Sequence, residues 1–408
     1  MDTLVTASTF LAIASVGECI VWLVFAFRSF REWRATLFLA DALRDVPASL
    51  PTMTVVIPAH NEQRVAAACA RSVLASDYPG LDVVFVLDRC TDGTRAALEP
   101  IAAADPRLRI VDNDSCPEDW AGKCNAARVG ASHARGELLL FADADTRFDR
   151  QLLRASVAMM RARHVLMLSI FSAPTHEHWF EILVQPVTSL MLLKRFPMTR
   201  VNADHGRRPF ANGQFMLFDR AAYEEMGGHA AVKDDLLEDL AFARRMRKAR
   251  MPQAVAVSGG MLRVSMYDSW KAFCTGWKRI YIESCQRNPR RLRSEARQIL
   301  AIVLVLPALR TASVVLAAVA LIDGRTLDEG AHAFAVGAIV FGLAAPLVRL
   351  LTLACVYRVA KFPVWSAIFF PGAAVSVAGM FSAGARDLAS RTPVRWGGRA
   401  YVLEPTDR

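Results

Sequence analysis

The chain has 408 residues, with 49 Lys and Arg against 39 Asp and Glu, a formal net charge of +10, a hydrophobic share of 53% and a mean hydropathy of +0.25. That much apolar surface excludes a disordered chain, and 22 Gly with 19 Pro exclude a collagen-like one. The number of charges excludes a protein embedded wholly in a membrane, which leaves a soluble domain joined to membrane segments.

The first element is an apolar run from about Leu4 to Phe27, long enough to cross a bilayer, whose only charge is Glu18. Arg28, Arg31 and Arg34 follow it, and only Asp2 precedes it. The positive-inside rule then puts the N-terminus outside and Arg28 onward in the cytoplasm. A cleaved signal peptide fits less well, because the run is long and its basic cluster lies on the far side. Residues 1–30 are therefore expected to be a transmembrane anchor.

Residues 50–295 hold most of the charge and have the size of one α/β domain. Thr54–Pro58 predicts a strand, Glu62–Ser76 an alanine-rich helix and Asp82–Leu87 a second strand ending at Asp88. Thr91-Asp-Gly-Thr94 is turn chemistry that opens a helix through about Ala104. Leu108–Val111, Gly122–Arg135 and Glu137–Ala142 continue as strand, helix and strand. This alternation predicts a mostly parallel sheet with helices on both faces, which binds ligands outside the carboxyl ends of its strands. His60-Asn61-Glu62, Asp88-Arg89 and Asp143-Ala-Asp145 all fall at such ends. No Gly-x-Gly-x-x-Gly follows the first strand and no Gly-Lys-Ser/Thr occurs, so dinucleotide oxidoreductases and P-loop enzymes lose their main signature.

Asp143 and Asp145, two apart at a strand end, project to one face. Two hard oxygen ligands there suit Mg2+ or Mn2+ carrying a diphosphate; ordinary loop solvation or helix capping is the plain alternative. Asp88 has the position to accept hydrogen bonds from a base or ribose, and Asp92 that of a helix cap. Lys123 opens a helix, where the macrodipole disfavours a cation; it is a phosphate ligand or a surface residue. Glu238-Asp239 opens a helix from Leu240 to Arg250, which fits either capping or a general base beside a metal-bound diphosphate. His176–Pro197 is aromatic and apolar with basic ends, an interfacial segment or a buried helix. The eight cysteines are scattered and expected to be reduced.

Three apolar stretches follow, at about Ile299–Ile322, Ala331–Tyr357 and Phe362–Ala383, within a membrane region of residues 296–385. The acidic link Asp323–Gly330 is expected outside, and Arg358 and Lys361 inside. Arg386, Arg391, Arg395 and Arg399 of the tail, residues 386–408, also favour the inside. The third stretch is therefore expected to be a broken or interfacial segment centred on Phe369–Gly372. Arg310, inside the first stretch, either pairs with a neighbouring helix or meets a phosphate or headgroup. Arg287, Arg290, Arg291 and Arg293 are expected to face anionic lipid. Because the basic residues cluster beside apolar segments, nucleic acid is not an expected partner.

In order along the chain, Val55-Val-Ile-Pro-Ala-His-Asn-Glu62, Leu87-Asp-Arg-Cys-Thr-Asp-Gly-Thr94, Trp120-Ala-Gly-Lys123, Phe141-Ala-Asp-Ala-Asp145, Asn212-Gly-Gln214, Gly227-Gly-His229, Glu238-Asp239 and Trp396-Gly-Gly-Arg-Ala-Tyr401 resemble the membrane-bound family 2 glycosyltransferases of GT-A fold. The resemblance implies that Pro58, Ala59, Asn61, Glu62, Asp88, Lys123 and Asp143 bind a nucleotide-sugar, expected to be UDP-linked. It implies that Asp143 and Asp145 hold Mg2+ or Mn2+, and that Asp239 is the base deprotonating an acceptor hydroxyl, with inversion at the anomeric carbon. Processive synthases and ceramide glucosyltransferases carry Gln/Arg-x-x-Arg-Trp after the base. Here Phe273 and Gly276 stand at the first two of those positions and Trp277 at the third, which argues against a polymer product. Glu238, Trp277 and Arg279 are candidates to contact the acceptor or the diphosphate.

The expectation is an integral protein of a bacterial-type inner or plasma membrane, with its catalytic domain in the cytoplasm. It would pass one sugar to a lipid acceptor such as a carotenoid, sphingolipid, hopanoid or polyprenyl phosphate. The alternatives are a processive polysaccharide synthase and a non-catalytic scaffold with a nucleotide-binding domain.

Overall fold

The computed structural model describes residues 3–203, 208–235, 237–322, 329–396 and 399–406, with residues 3–12, 394–396, 399 and 400 described by backbone only. The strands in chain order are β1 Leu37–Phe38, β2 Met53–Ala59, β3 Leu81–Asp88, β4 Leu108–Asn113, β5 Leu138–Ala142, β6 Thr146–Phe148, β7 Met167–Phe171, β8 Ala173–Pro174, β9 Phe215–Asp219, β10 Gln253–Val257, β11 Leu262–Val264, β12 Val394–Trp396 and β13 Arg399–Tyr401. The helices are α1 Thr3–Ala35, α2 Ala66–Leu74, α3 Thr94–Ala104, α4 Gly122–Ser132, α5 Leu152–Ala162, α6 Trp179–Leu183, α7 Gln185–Arg195, α8 Met198–Val201, α9 Arg220–Glu225, α10 Glu238–Lys248, α11 Trp270–Ser284, α12 Pro289–Leu300, α13 Leu306–Ile322, α14 Glu329–Val359 and α15 Phe370–Ala389.

The expected α/β architecture is present, as a Rossmann-like sheet of order β1-β10-β7-β9-β5-β2-β3-β4. All neighbours run parallel except β9, which is antiparallel to both β5 and β7. Its central strands are apolar on both sides because both faces are covered. Val55, Ile57, Val83 and Phe85 enter one core with Cys69, Ala70 and Val73 of α2 and Leu152 to Met160 of α5. Val56, Val84 and Val86 enter the other with Ala126 and Ala127 of α4 and Phe242 and Met246 of α10. At Gly130 a Cβ would collide with Val56 and Val86, so α4 lies close to the sheet because that residue is glycine.

The sheet begins before residue 50: α1 runs directly into β1, which pairs Leu37 with Ala256 and Phe38 with Val257. Glu32 near the end of α1 accepts from the Thr199 amide at 2.9 Å and the Thr199 hydroxyl at 2.7 Å, tying the helix to α8.

Among the described residues four helical segments are long and apolar enough to cross a membrane: Ile13–Ala35, Pro289–Ile322, Glu329–Val359 and Val364–Ala389. α1, α13 and α14 pack on one another. Their outward faces hold Phe27, Val315, Val319, Leu343, Leu347 and Leu351 in the open, the reverse of the sheet domain. Between them Glu18, fully buried, meets Arg310 Nε at 2.9 Å, and Arg310 Nη1 donates to the Gly342 carbonyl at 2.9 Å. Of the two expectations for Arg310, pairing with a neighbouring helix is the one observed.

The third C-terminal stretch differs from the other spans. A 3-10 turn, Val364–Phe369, precedes α15, with Pro371 in the first helical turn. The break expected at Phe369–Gly372 is thus the start of a 20-residue helix, because proline is accommodated there without losing a hydrogen bond. α15 packs on α11 and α12, and Tyr281 stacks on Phe381 at 3.9 Å between ring centroids. α6 and α7 join this helical layer through Phe180, Val184 and Val187, so His176–Pro197 forms two short helices with a buried side. The tail is docked: Leu403 is buried in the layer, and the Thr406 amide donates to the Arg287 carbonyl at 2.9 Å. Gly397 and Gly398 of the tail motif, and Asp323 to Asp328 of the link expected outside, lie beyond the described residues. No disulfide joins any of the eight cysteines.

Candidate active site

The site forms where β5, β2 and β3 end side by side. Their parallel register aligns the loops after Ala59, Asp88 and Ala142. The reversed strand β9 then matters, because pairing Ala142 with Phe215 brings Asn212-Gly-Gln214 to the same edge. The start of α10 completes the group, with the Gly213 amide donating to Asp239 Oδ2 at 2.8 Å.

Lys123 stands at the centre. Its Nζ lies 2.7 Å from Asp143 Oδ1 and 2.7 Å from Glu238 Oε1. It is therefore neither a surface lysine nor a residue placed by its helix end alone. A Cβ at Gly213 would come within 3.1 Å of both Lys123 Nζ and Glu238 Oε1, so a side chain there would crowd these charged groups. Asp143 is followed by a tight turn in which the Thr146 hydroxyl donates to its carbonyl at 2.6 Å. Asp145 beyond it has a buried Oδ1 with no hydrogen-bond partner among the described residues.

Five carboxylates, Glu62, Asp143, Asp145, Glu238 and Asp239, share this region with Lys123 and Arg279. Burial and then Asp143 and Asp92 push Glu62 up to about 7. Burial, Asp143 and Glu62 push Asp145 well above the carboxylate range. Burial, only partly opposed by Lys123, raises Asp143. Burial and the neighbouring Glu238 push Asp239 up to about 7. Burial opposes the charged form of Glu238 too, but Lys123 outweighs it and holds Glu238 low. The cluster is thus short of positive charge, with Asp145 least compensated. Among the described residues no three His, Cys, Asp or Glu converge as a complete metal cage. Two aspartates with one unpartnered buried oxygen fit a Mg2+ or Mn2+ ion that takes its other ligands from a diphosphate and water.

The nucleotide-side candidates are placed as follows. Pro58 and Ala59 end β2. Asn61 has φ 59° and accepts the Thr91 amide at 2.8 Å, bracing two loops. Glu62 is not in a helix, a correction to the sequence expectation: α2 starts at Ala66, and the Glu62 amide instead donates to the Thr94 hydroxyl at 2.8 Å. That frees its carboxylate to join the cluster. Asp88 is buried, accepting from Arg89 Nε at 3.0 Å, Arg89 Nη2 at 2.6 Å and Asn113 Nδ2 at 2.8 Å. Asp92 accepts the Thr94 amide at 3.0 Å where α3 begins, as its capping position implied.

On the other side, Trp277 is buried between Phe273 and Tyr281 in the helical layer, with ring centroids 6.2 and 5.6 Å away. The aromatic helix face that holds it makes it a packing residue and not part of the carboxylate cluster. Arg279, on the same helix, acts electrostatically on Asp143. Tyr267 is a neighbour that the sequence did not indicate: its phenol fills the space where Gly276 would carry a Cβ, and it feels Arg279, Asp145 and Asp143. An arginine at 276 would have to displace that ring. Gly227-Gly-His229 is structural: His229 is buried, paired with the Tyr223 hydroxyl at 2.8 Å, and burial pushes its imidazole down to about 3.

Residues 54–227 match the family model described as glycosyl transferase family 2. A 4,4'-diaponeurosporenoate glycosyltransferase of Staphylococcus aureus (strain bovine RF122 / ET3-1) is 23% identical over 233 residues, 55% of this chain; the chain spans 60% of that relative's length. Among solved structures, the mannosyltransferase PcManGT of Pyrobaculum calidifontis, in complex with GDP-Man and Mn2+, aligns with TM-score 0.47 at 18% identity, covering 84% of this chain and 98% of that one. S. aureus TarS 1-349 in complex with UDP-GlcNAc aligns with TM-score 0.39 at 12% identity, covering 87% and 97%.

Proposed function

Because residues 54–227 form a family 2 glycosyltransferase domain, we propose that the chain moves a single sugar, with inversion, from a nucleotide-sugar to an acceptor dissolved in the membrane. The observation that carries this reading is the carboxylate cluster around Lys123, short of positive charge, within electrostatic reach of Arg279 on α11 of the helical layer. The donor is UDP-linked and water-soluble. The acceptor is a lipid with a free hydroxyl, the carotenoid class being favoured by the relative named for 4,4'-diaponeurosporenoate.

Asp145 and Asp143 hold Mg2+ or Mn2+, which when bound supplies positive charge to the leaving diphosphate. Pro58, Ala59, Asn61 and Glu62 border the nucleotide. Asp88, already bonded to Arg89 and Asn113, fixes the floor beneath it. Lys123 holds Glu238 and Asp143 in place and lends its charge to the donor. Asp239, with a proton affinity near neutrality, takes the acceptor proton as the acceptor oxygen attacks the anomeric carbon and the bond to the diphosphate breaks. Arg279 faces the same space, and α11 carries it from the helical layer to the cluster. The Tyr267 ring occupies the side-chain space at Gly276, where processive synthases carry an arginine, which supports single transfer over processive synthesis.

In this reading α1, α13 and α14 span the membrane, α15 lies at its interface, and the catalytic domain is on the cytoplasmic side. Membranes containing the chain, given radiolabelled UDP-hexose, should yield label in an organic extract as a single-sugar lipid. No label with any UDP-hexose, or label in long polymer, would overturn the proposal.

A further inference from the structure

α12 and α15 pack side by side but leave between them a cavity of about 590 Å³ that opens widely to solvent. Arg290, Arg293 and Arg297 line it from α12, at i, i+3 and i+7, one face of that helix. Ser382 lines it from α15, and the cavity continues past Arg293 to Arg386. Ala296, Leu300 and Ala385 form its apolar lining.

The nearest acids are used elsewhere. Glu295 pairs with Lys194 at 2.7 Å, and Asp387 pairs with Lys278. Among the described residues no carboxylate pairs with Arg290, Arg293, Arg297 or Arg386, so four guanidinium groups share one groove without a counter-charge. The groove also has a fixed position. α12 continues through a π-helical turn, Ala301–Val305, into the apolar helix α13, so the arginines stand just where the chain enters hydrocarbon. A single anion from solution would use the arginines and leave the apolar lining exposed. A lipid uses both.

We infer that this groove binds the phosphate of one anionic bilayer phospholipid, separate from the acceptor, with its acyl chains running along α13. Bidentate guanidinium bonds suit a phosphodiester, and the volume falls in the range of pockets that enclose a ligand headgroup. The lipid acts as a wedge holding the amphipathic α12 and the half-buried α15 at the membrane surface.

The test is native mass spectrometry of the full chain, purified from nanodiscs of phosphatidylcholine mixed with phosphatidylglycerol. The wild type should keep one phosphatidylglycerol. The variant R290Q/R293Q/R297Q should bind it about a hundredfold more weakly, about fivefold for each arginine removed. Two variants on the opposite wall, R386Q and S382W, should weaken it by charge loss and by filling, and they test the groove if the triple variant does not fold. Equal phosphatidylglycerol retention by R386Q, S382W and the wild type would overturn the inference, as would equal retention of phosphatidylcholine. Glycerol 1-phosphate added to phosphatidylcholine discs should leave the chain unliganded; binding as tight as that of phosphatidylglycerol would show a soluble phosphate site and refute a lipid one.

Discussion

Two groups of buried charge stand in different parts of the molecule, and they are balanced differently. In the helical bundle, Glu18 and Arg310 form one pair, with a backbone carbonyl taking a further guanidinium N–H. The one carboxylate there is matched by guanidinium charge, with Arg349 acting on it as well, although Glu18 Oε1 takes no hydrogen bond among the described residues. In the sheet domain, Lys123 pairs with Asp143 and Glu238 but holds only Glu238 low, and Glu62, Asp143, Asp145 and Asp239 are left with raised proton affinities. A closed pair holds helices together. An open cluster costs stability and is kept where a ligand completes it. The contrast is what separates a structural from a functional reading of buried carboxylates here.

The comparison breaks most visibly in activity. Asp239→Asn keeps size and polarity but removes the proposed base, and should lower the rate of sugar transfer by about 10²–10⁴-fold, with donor binding little changed. Single-turnover assays on saturated enzyme would check this. Substitution in the bundle should act on stability alone. Arg310→Leu leaves Glu18 buried without its partner and should cost about 3–5 kcal/mol, most of it recovered in Glu18→Leu/Arg310→Leu. Unfolding in mixed micelles measures both. If the double variant were as unstable as the single one, the pair would not be closed.

Protonation gives a smaller, graded test. In the proposed role of base Asp239 must be ionised, and burial beside Glu238 pushes its carboxyl up to about 7. The transfer rate should therefore fall about tenfold per pH unit below about 7 and level off above it. The stability effect has the opposite sign. The folded state binds this proton more tightly than the unfolded chain, so stability falls as pH rises from the ordinary carboxylate range through about 7. Smallest of all, Gly276→Ala must move the Tyr267 ring and should change acceptor KM by a few-fold with kcat nearly kept. Initial rates across acceptor concentrations would show it.

Local pattern carried a good part of this. The strand ends that present Asp88 and Asp143 were legible because apolar runs of strand length stop at an acidic residue, and parallel topology does the rest. Glu18 and Arg310 were each visible as the lone charge within an apolar run, though only packing pairs them. Other features depend on contacts distant in sequence. Nothing around Lys123 names Asp143 and Glu238 as its partners. The alanine-rich stretch extends helical propensity back over Glu62, and only the Thr94 hydroxyl and the left-handed Asn61 keep that residue in a loop. The reversal of β9, which delivers Gly213 to Asp239, leaves no local mark because its residues are as apolar as those of a parallel strand. Tyr267 looks like any loop tyrosine until α11 is folded against it.

The central claim is that the open cluster exists to hold a metal-bound nucleoside diphosphate. Titrating UDP into the detergent-solubilised full chain by calorimetry, with Mn2+ and then with EDTA, tests it directly. Mn2+-dependent binding that is lost in Asp145→Asn and kept in Arg310→Leu is the predicted result. UDP binding of equal strength in EDTA, or in Asp145→Asn, would contradict it.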